Sequence, residues 1–158
     1  MSRARLSGMR VLPVGLIAAI LLAAPPAYAA DEVLRGPITA QVVDVLDGDT
    51  IAFAAHVWLG TDISMHVRLR GIDTPELHTT CAQEKAMAEQ ARGQLAQLAG
   101  GTITLSNIAY DKYGGRVDAN VANAAGVDLG AAMLKAGLAH PYDGSGPRAD
   151  WCPTASIR

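Results

Sequence analysis

The order of apolar and polar positions along this chain lays out most of its elements. From Ile38 to Leu46 the residues are rich in β-branched types and predict a strand. Asp47-Gly48 is a turn signal, and residues 50–59 predict a second strand. From Ile63 the alternation is strict, with Ile63, Met65, Val67 and Leu69 against Ser64, His66, Arg68 and Arg70. That is a half-buried strand with Arg68 on its polar face. Gly71 breaks the period and opens a loop carrying Asp73 and Glu76.

A helix is predicted next. Thr80 and Gln83 fit a capping box, Met87, Ala91, Leu95 and Leu98 form a helical stripe, and Gly100-Gly101 stops it. Residues 102–108 and 116–121 predict two more strands, the second with Val117, Ala119 and Val121 on one face. A short helix over residues 129–136 follows, with Asp128 as its N-cap and Gly137-Leu138 as a Schellman stop. From Tyr142 onward no regular element is expected. Five strands, one helix between the third and fourth, and a helix after the fifth predict a β-rich α+β chain. The expected architecture is a five-stranded Greek-key barrel of OB type. With a single Phe, Val, Ile, Leu and Ala must fill its core.

The first segment stands apart. Arg3, Arg5 and Arg10 precede an apolar run over residues 11–24, and Ala27-Tyr28-Ala29 is a small-x-small cleavage site. This reads as a signal peptide over residues 1–29, because about 14 apolar residues fall short of the roughly 20 a spanning helix needs. Residues 30–37 are then a flexible lead-in, 38–142 the barrel domain and 143–158 a tail. Without the leader the chain keeps ten of the 13 basic residues and all 15 acidic ones, a formal charge of −5. That balance argues against a broad electrostatic clamp on nucleic acid. A bound divalent cation would reverse the sign locally.

Both cysteines, Cys81 and Cys152, lie in the exported part. An even pair in an oxidising compartment predicts one disulfide, the alternative being two unpaired thiols. A loop this long gains roughly 4 kcal/mol in the chain-entropy model.

Three short patches carry chemistry. They are Asp47-Gly48-Asp49-Thr50, Arg68 with Asp73-Thr74-Pro75-Glu76, and Asp111-Lys112-Tyr113-Gly114-Gly115-Arg116. If the strands beside Asp49 and Asp73 are neighbours, both carboxylates meet at one rim, where a hard cation such as Ca²⁺ relieves their repulsion. Taken alone, Asp47-Gly48-Asp49 is equally a plain turn. Glu76 follows a rigid proline and suits a carboxylate aimed at an attacking water, or a surface acid near a helix start. Planar guanidinium groups at Arg68 and Arg116 suit a phosphate whose transition state gains negative charge. Tyr113 and Tyr142 suit stacking on a base or packing at the rim. The four histidines share no metal-site spacing.

At these residues, together with Gly137-Leu138-Ala139, the chain resembles the staphylococcal nuclease family, over about residues 38–142. The resemblance implies an OB-fold barrel and Ca²⁺-dependent cleavage of DNA and RNA that leaves 3′-phosphate ends. It further implies that Asp49, Asp73 and the Thr74 carbonyl ligate Ca²⁺, and that Glu76 orients or deprotonates water. Arg68 and Arg116 would bind the phosphate, and Tyr113 the substrate, with Tyr142 a second substrate-binding candidate on the strength of its own ring. The Gly114-Gly115 pair shifts Arg116 by one place from the shorter Tyr-Gly-Arg form, and Asp118 and Asn120 stand where more apolar residues are expected. The expected protein is a secreted or periplasmic monomer. A catalytically inactive barrel that binds nucleic acid or protein is the alternative. A purely structural calcium domain would leave Arg68 and Arg116 without a role.

Overall fold

A computed structural model describes residues 32–112 and 114–152. The leader therefore lies outside the described residues, as does Tyr113. Three strands come first: β1 (Ile38–Val45), β2 (Thr50–Trp58) and β3 (Thr61–Leu69). A two-residue strand β4 (Ile72–Asp73) and the long helix α1 (Ala82–Ala99) follow. Then come β5 (Thr102–Tyr110), β6 (Arg116–Asn123), helix α2 (Leu129–Lys135) and a second two-residue strand β7 (His140–Pro141).

The five long strands close into a barrel in the order β1-β2-β3-β6-β5, with β5 returning to β1. All pairings are antiparallel except β3 with β6, where Arg68 faces Asp118. A parallel pair requires a crossover, and α1 with β5 supplies it. This is the OB-type barrel that the strand pattern predicts. Closure also removes exposed strand edges.

The alternation seen in the sequence becomes the core. Ile51, Val67, Leu69, Ile103, Leu105, Ala119 and Val121 are buried inside the barrel with Phe53. Ala91, Leu95 and Ala99 of α1 and Leu129 and Met133 of α2 join the same cluster. Asp118, between two buried neighbours on β6, points to the other face, so a polar residue is tolerated there.

Four local expectations are corrected. The Thr80–Gln83 capping box does not form. Helix α1 starts after Cys81, which makes no side-chain cap, and Thr79 Oγ1 donates instead to Glu84. The buried stripe of α1 keeps Ala91 and Leu95 but is completed by Ala88 and Ala99, whose small side chains let the helix approach closely, while Met87 and Leu98 are only half-buried. Asp73 sits in a strand rather than a loop, because β4 pairs with β7 and places Asp73 opposite His140. The described part of the lead-in, residues 32–37, is tied down, since Leu34 exchanges backbone hydrogen bonds with Ile108 and Arg35 accepts one from Asn107.

Candidate active site

Asp49 is placed by its backbone. Its carbonyl accepts a 2.8 Å bond from the Leu69 N–H, pinning it to the end of β3, and its own N–H donates to Asp47 Oδ1 at 2.9 Å. Gly48 makes this possible. A Cβ at that position would stand 2.8 Å from the Ala91 Cβ and 2.9 Å from the Thr74 side chain. Only a glycine lets the turn press against both α1 and Thr74.

The Asp49 carboxylate is buried and accepts from Thr50 Oγ1 at 2.9 Å. Burial, helped by the neighbouring Asp47 charge, pushes its pKa up to about 7, against the pull of Arg68 and Thr50. Arg68, on the polar face of β3, brings Nη2 to 3.5 Å from Asp49 and 4.0 Å from Asp73. The Tyr142 ring lies 5.9 Å from the Arg68 guanidinium carbon, and its backbone N–H donates to the Gly71 carbonyl at 2.9 Å.

Asp73 is 1 % exposed. One oxygen accepts Arg148 Nε at 2.5 Å, and the other accepts Trp151 Nε1 at 3.2 Å. The same Arg148 donates through Nη2 to the Thr74 carbonyl at 3.0 Å and through Nη1 to Glu76 Oε1. Desolvation of Arg148 is outweighed by the Glu76 and Asp73 acceptors, so its pKa is raised above the usual arginine range. The Glu76 backbone N–H donates in turn to Glu84 of α1 at 3.1 Å.

Arg116 opens β6 and its Nε donates to the buried Asp111 carboxylate. Gly114 and Gly115 both take positive φ, 71° and 73°, and so turn the chain back for the Asp111 N–H to reach the Arg116 carbonyl at 3.1 Å. The extra glycine is absorbed in that turn.

A polar cavity of about 150 Å³ gathers most of these groups, though Asp73 and Asp111 do not line it. Asp49, Arg68, Thr74, Glu76, Arg116 and Tyr142 all line it, so six of the expected site residues converge. Asp47 and Lys112, which the patches contain without a role of their own, also line it, and so does Arg148, which the sequence did not single out. Trp151, packed on the His140 ring at 4.2 Å, was missed as well. The signal that would have found Arg148 is the disulfide. Cys81 and Cys152 are bridged across a separation of 71 residues, which returns the tail to the start of α1, near Glu76.

Among the described residues no three His, Cys, Asp or Glu side chains gather into a metal cluster. The residues expected to hold a cation are two carboxylates, Asp49 and Asp73, with the Thr74 carbonyl. These are all hard oxygens, which suit Ca²⁺. The Arg148 guanidinium, bonded to Asp73 and the Thr74 carbonyl, stands in for positive charge at these donors.

Comparison with known families decides the kinship. A family model described as staphylococcal nuclease homologue matches residues 66–150, more than half of the chain. The chain belongs to the staphylococcal nuclease family. The match takes in Arg68, the Asp73–Glu76 segment, Arg116 and Arg148, and begins after Asp49. It also runs past residue 142, in keeping with a tail that packs on the site. No curated protein matches the chain.

Proposed function

We propose that this protein is an exported, Ca²⁺-dependent nuclease that hydrolyses phosphodiester bonds of DNA and RNA and leaves 3′-phosphate ends. The observation that carries this reading is the meeting of Asp49, Arg68, Glu76 and Arg116 in one polar cavity. Asp49, Asp73 and the Thr74 carbonyl would hold Ca²⁺, which when bound supplies positive charge against the attacked phosphate.

The chain's own groups divide the remaining work. Arg68 and Arg116 bind the phosphate and the added negative charge of its pentacoordinate transition state, each through a planar fork. Glu76, on the cavity wall, takes the proton of an attacking water. Tyr142, beside Arg68, and Tyr113 contact the substrate. Lys112 adds a further positive group at the cavity of a chain that is acidic as a whole. The leader-like first 29 residues and the Cys81–Cys152 bridge support export to the periplasm or the medium. The expected form is a monomer.

A second reading is a barrel that grips nucleic acid without cutting it. Arg148, bonded to both Asp73 and Glu76, is the observation in its favour. Incubation of the purified chain with single-stranded DNA, with Ca²⁺ or with excess EGTA, followed by end-group analysis, separates the two. Cleavage to 3′-phosphate ends in Ca²⁺ alone is the expected result. Full cleavage in EGTA contradicts the metal assignment, and retention of DNA without cleavage supports the second reading.

A further inference from the structure

Arg148 takes up two acceptors that the nuclease reading reserves for a cation, Asp73 and the Thr74 carbonyl, and with them the Glu76 carboxylate it assigns to the water. Its three nitrogens reach Asp73 Oδ1, the Thr74 carbonyl and Glu76 Oε1, with Asp73 at 2.5 Å and Thr74 at 3.0 Å. A guanidinium on these oxygens competes with a metal ion, because both are positive and both draw on the same acceptors. The side chain is 40 % exposed, so it can leave the acceptors without unpacking the core. Its backbone is held nearby on its C-terminal side. Trp151, 6 % exposed, donates to the remaining Asp73 oxygen, and Cys152 is bridged to Cys81.

We infer that Arg148 is a built-in competitor of the divalent cation, so that the cation affinity of the centre is set by displacement of this side chain from Asp73, Thr74 and Glu76. The inference rests on the calcium reading above and adds a residue to it. The bridge and Trp151 keep the effective concentration of the guanidinium at the acceptors high. Apparent affinity for the cation is then reduced by the fraction of molecules in which Arg148 has swung away.

Calorimetric titration of Ca²⁺ into the purified, oxidised chain and into Arg148→Ala tests this without any cleavage assay. The expected result is a Ca²⁺ dissociation constant at least tenfold smaller in Arg148→Ala. Thermal melts give a second readout. Arg148→Ala should melt lower than the parent in EGTA, because Asp73 and Glu76 lose their partner, and Ca²⁺ should raise its Tm by more than it raises the parent's. Arg148→Lys, which keeps the charge and loses the fork, serves if the alanine variant does not fold, and should bind Ca²⁺ several-fold more tightly than the parent. Equal or weaker Ca²⁺ binding by the folded variants, with the same Ca²⁺-induced melting shift, overturns the competition and leaves the nuclease reading intact. Absence of Ca²⁺ binding by parent and variants alike overturns the competition and the calcium assignment together.

Discussion

Arg68 Nη2 lies 3.5 Å from Asp49 Oδ2, a charge pair built across the β2–β3 register, in which Arg68 faces Thr50. The pair is buried on both sides, with 18 % and 8 % of the side chains exposed. In such surroundings it is the direction of the guanidinium, more than its net contribution to stability, that matters. Arg68→Ala should therefore reduce kcat by about two to three orders of magnitude, as removal of one transition-state donor does. Circular dichroism should report a folded chain. A change confined to Tm, with kcat intact, would assign Arg68 a structural role.

Gly48 is a steric requirement. Its backbone does not need positive φ, but a methyl group there would collide with Ala91 and Thr74. Gly48→Ala should cost about 1–3 kcal/mol, the range for overpacking a tight contact. It should also weaken Ca²⁺ binding by moving Asp49 away from Thr74. Chemical denaturation and Ca²⁺ titration of the variant check both.

Asp118 supplies a pH dependence. Burial, helped by the Asp111 charge, raises its pKa against the pull of Arg68, Arg70 and Arg116, and its Oδ1 lacks a hydrogen-bond partner among the described residues. An acid raised on folding destabilises the native state once it ionises. Its cost is absent below the ordinary aspartate range, near pH 4, and grows as pH rises through that range to the higher native value. Asp118→Asn should therefore raise Tm at pH 8 and leave it little changed near pH 4. Melting curves of both chains between these limits check the sign; a variant that melts lower at pH 8 contradicts it.

The Cys81–Cys152 bridge closes a separation of 71 residues. Replacing both cysteines by serine should cost about 2–5 kcal/mol. Trp151, buried and bonded to Asp73, should then become more exposed, shifting its emission to the red. Trp58, already 73 % exposed, contributes a constant background. Unchanged emission in the folded variant would show that Trp151 is held by His140 and Asp73 alone.

Much of the barrel was legible because strand alternation is a local property. Val117, Ala119 and Val121 were readable as one face of a strand, and they are buried inside the barrel. Asp128 was readable as a cap and accepts from the Ala131 N–H at 2.7 Å. The start of α1 was misread because Thr79 and Glu84, rather than Thr80 and Gln83, settle the local hydrogen bonds. The three-residue spacing favours Thr80 and Gln83, whereas the pair that forms is five apart and fits no cap pattern.

The linear order of residues settled which side chains were available, since residue type and periodicity act over a few neighbours. Two carboxylates, two strand-borne arginines and a glutamate behind a proline were evident before any coordinates. Which acid each arginine meets was settled by barrel closure and by the bridge to the tail. Arg148 reaches Asp73 across 75 positions. A contact at that distance leaves no periodic trace, and only the folded chain reveals that a guanidinium sits among the oxygens a cation would need.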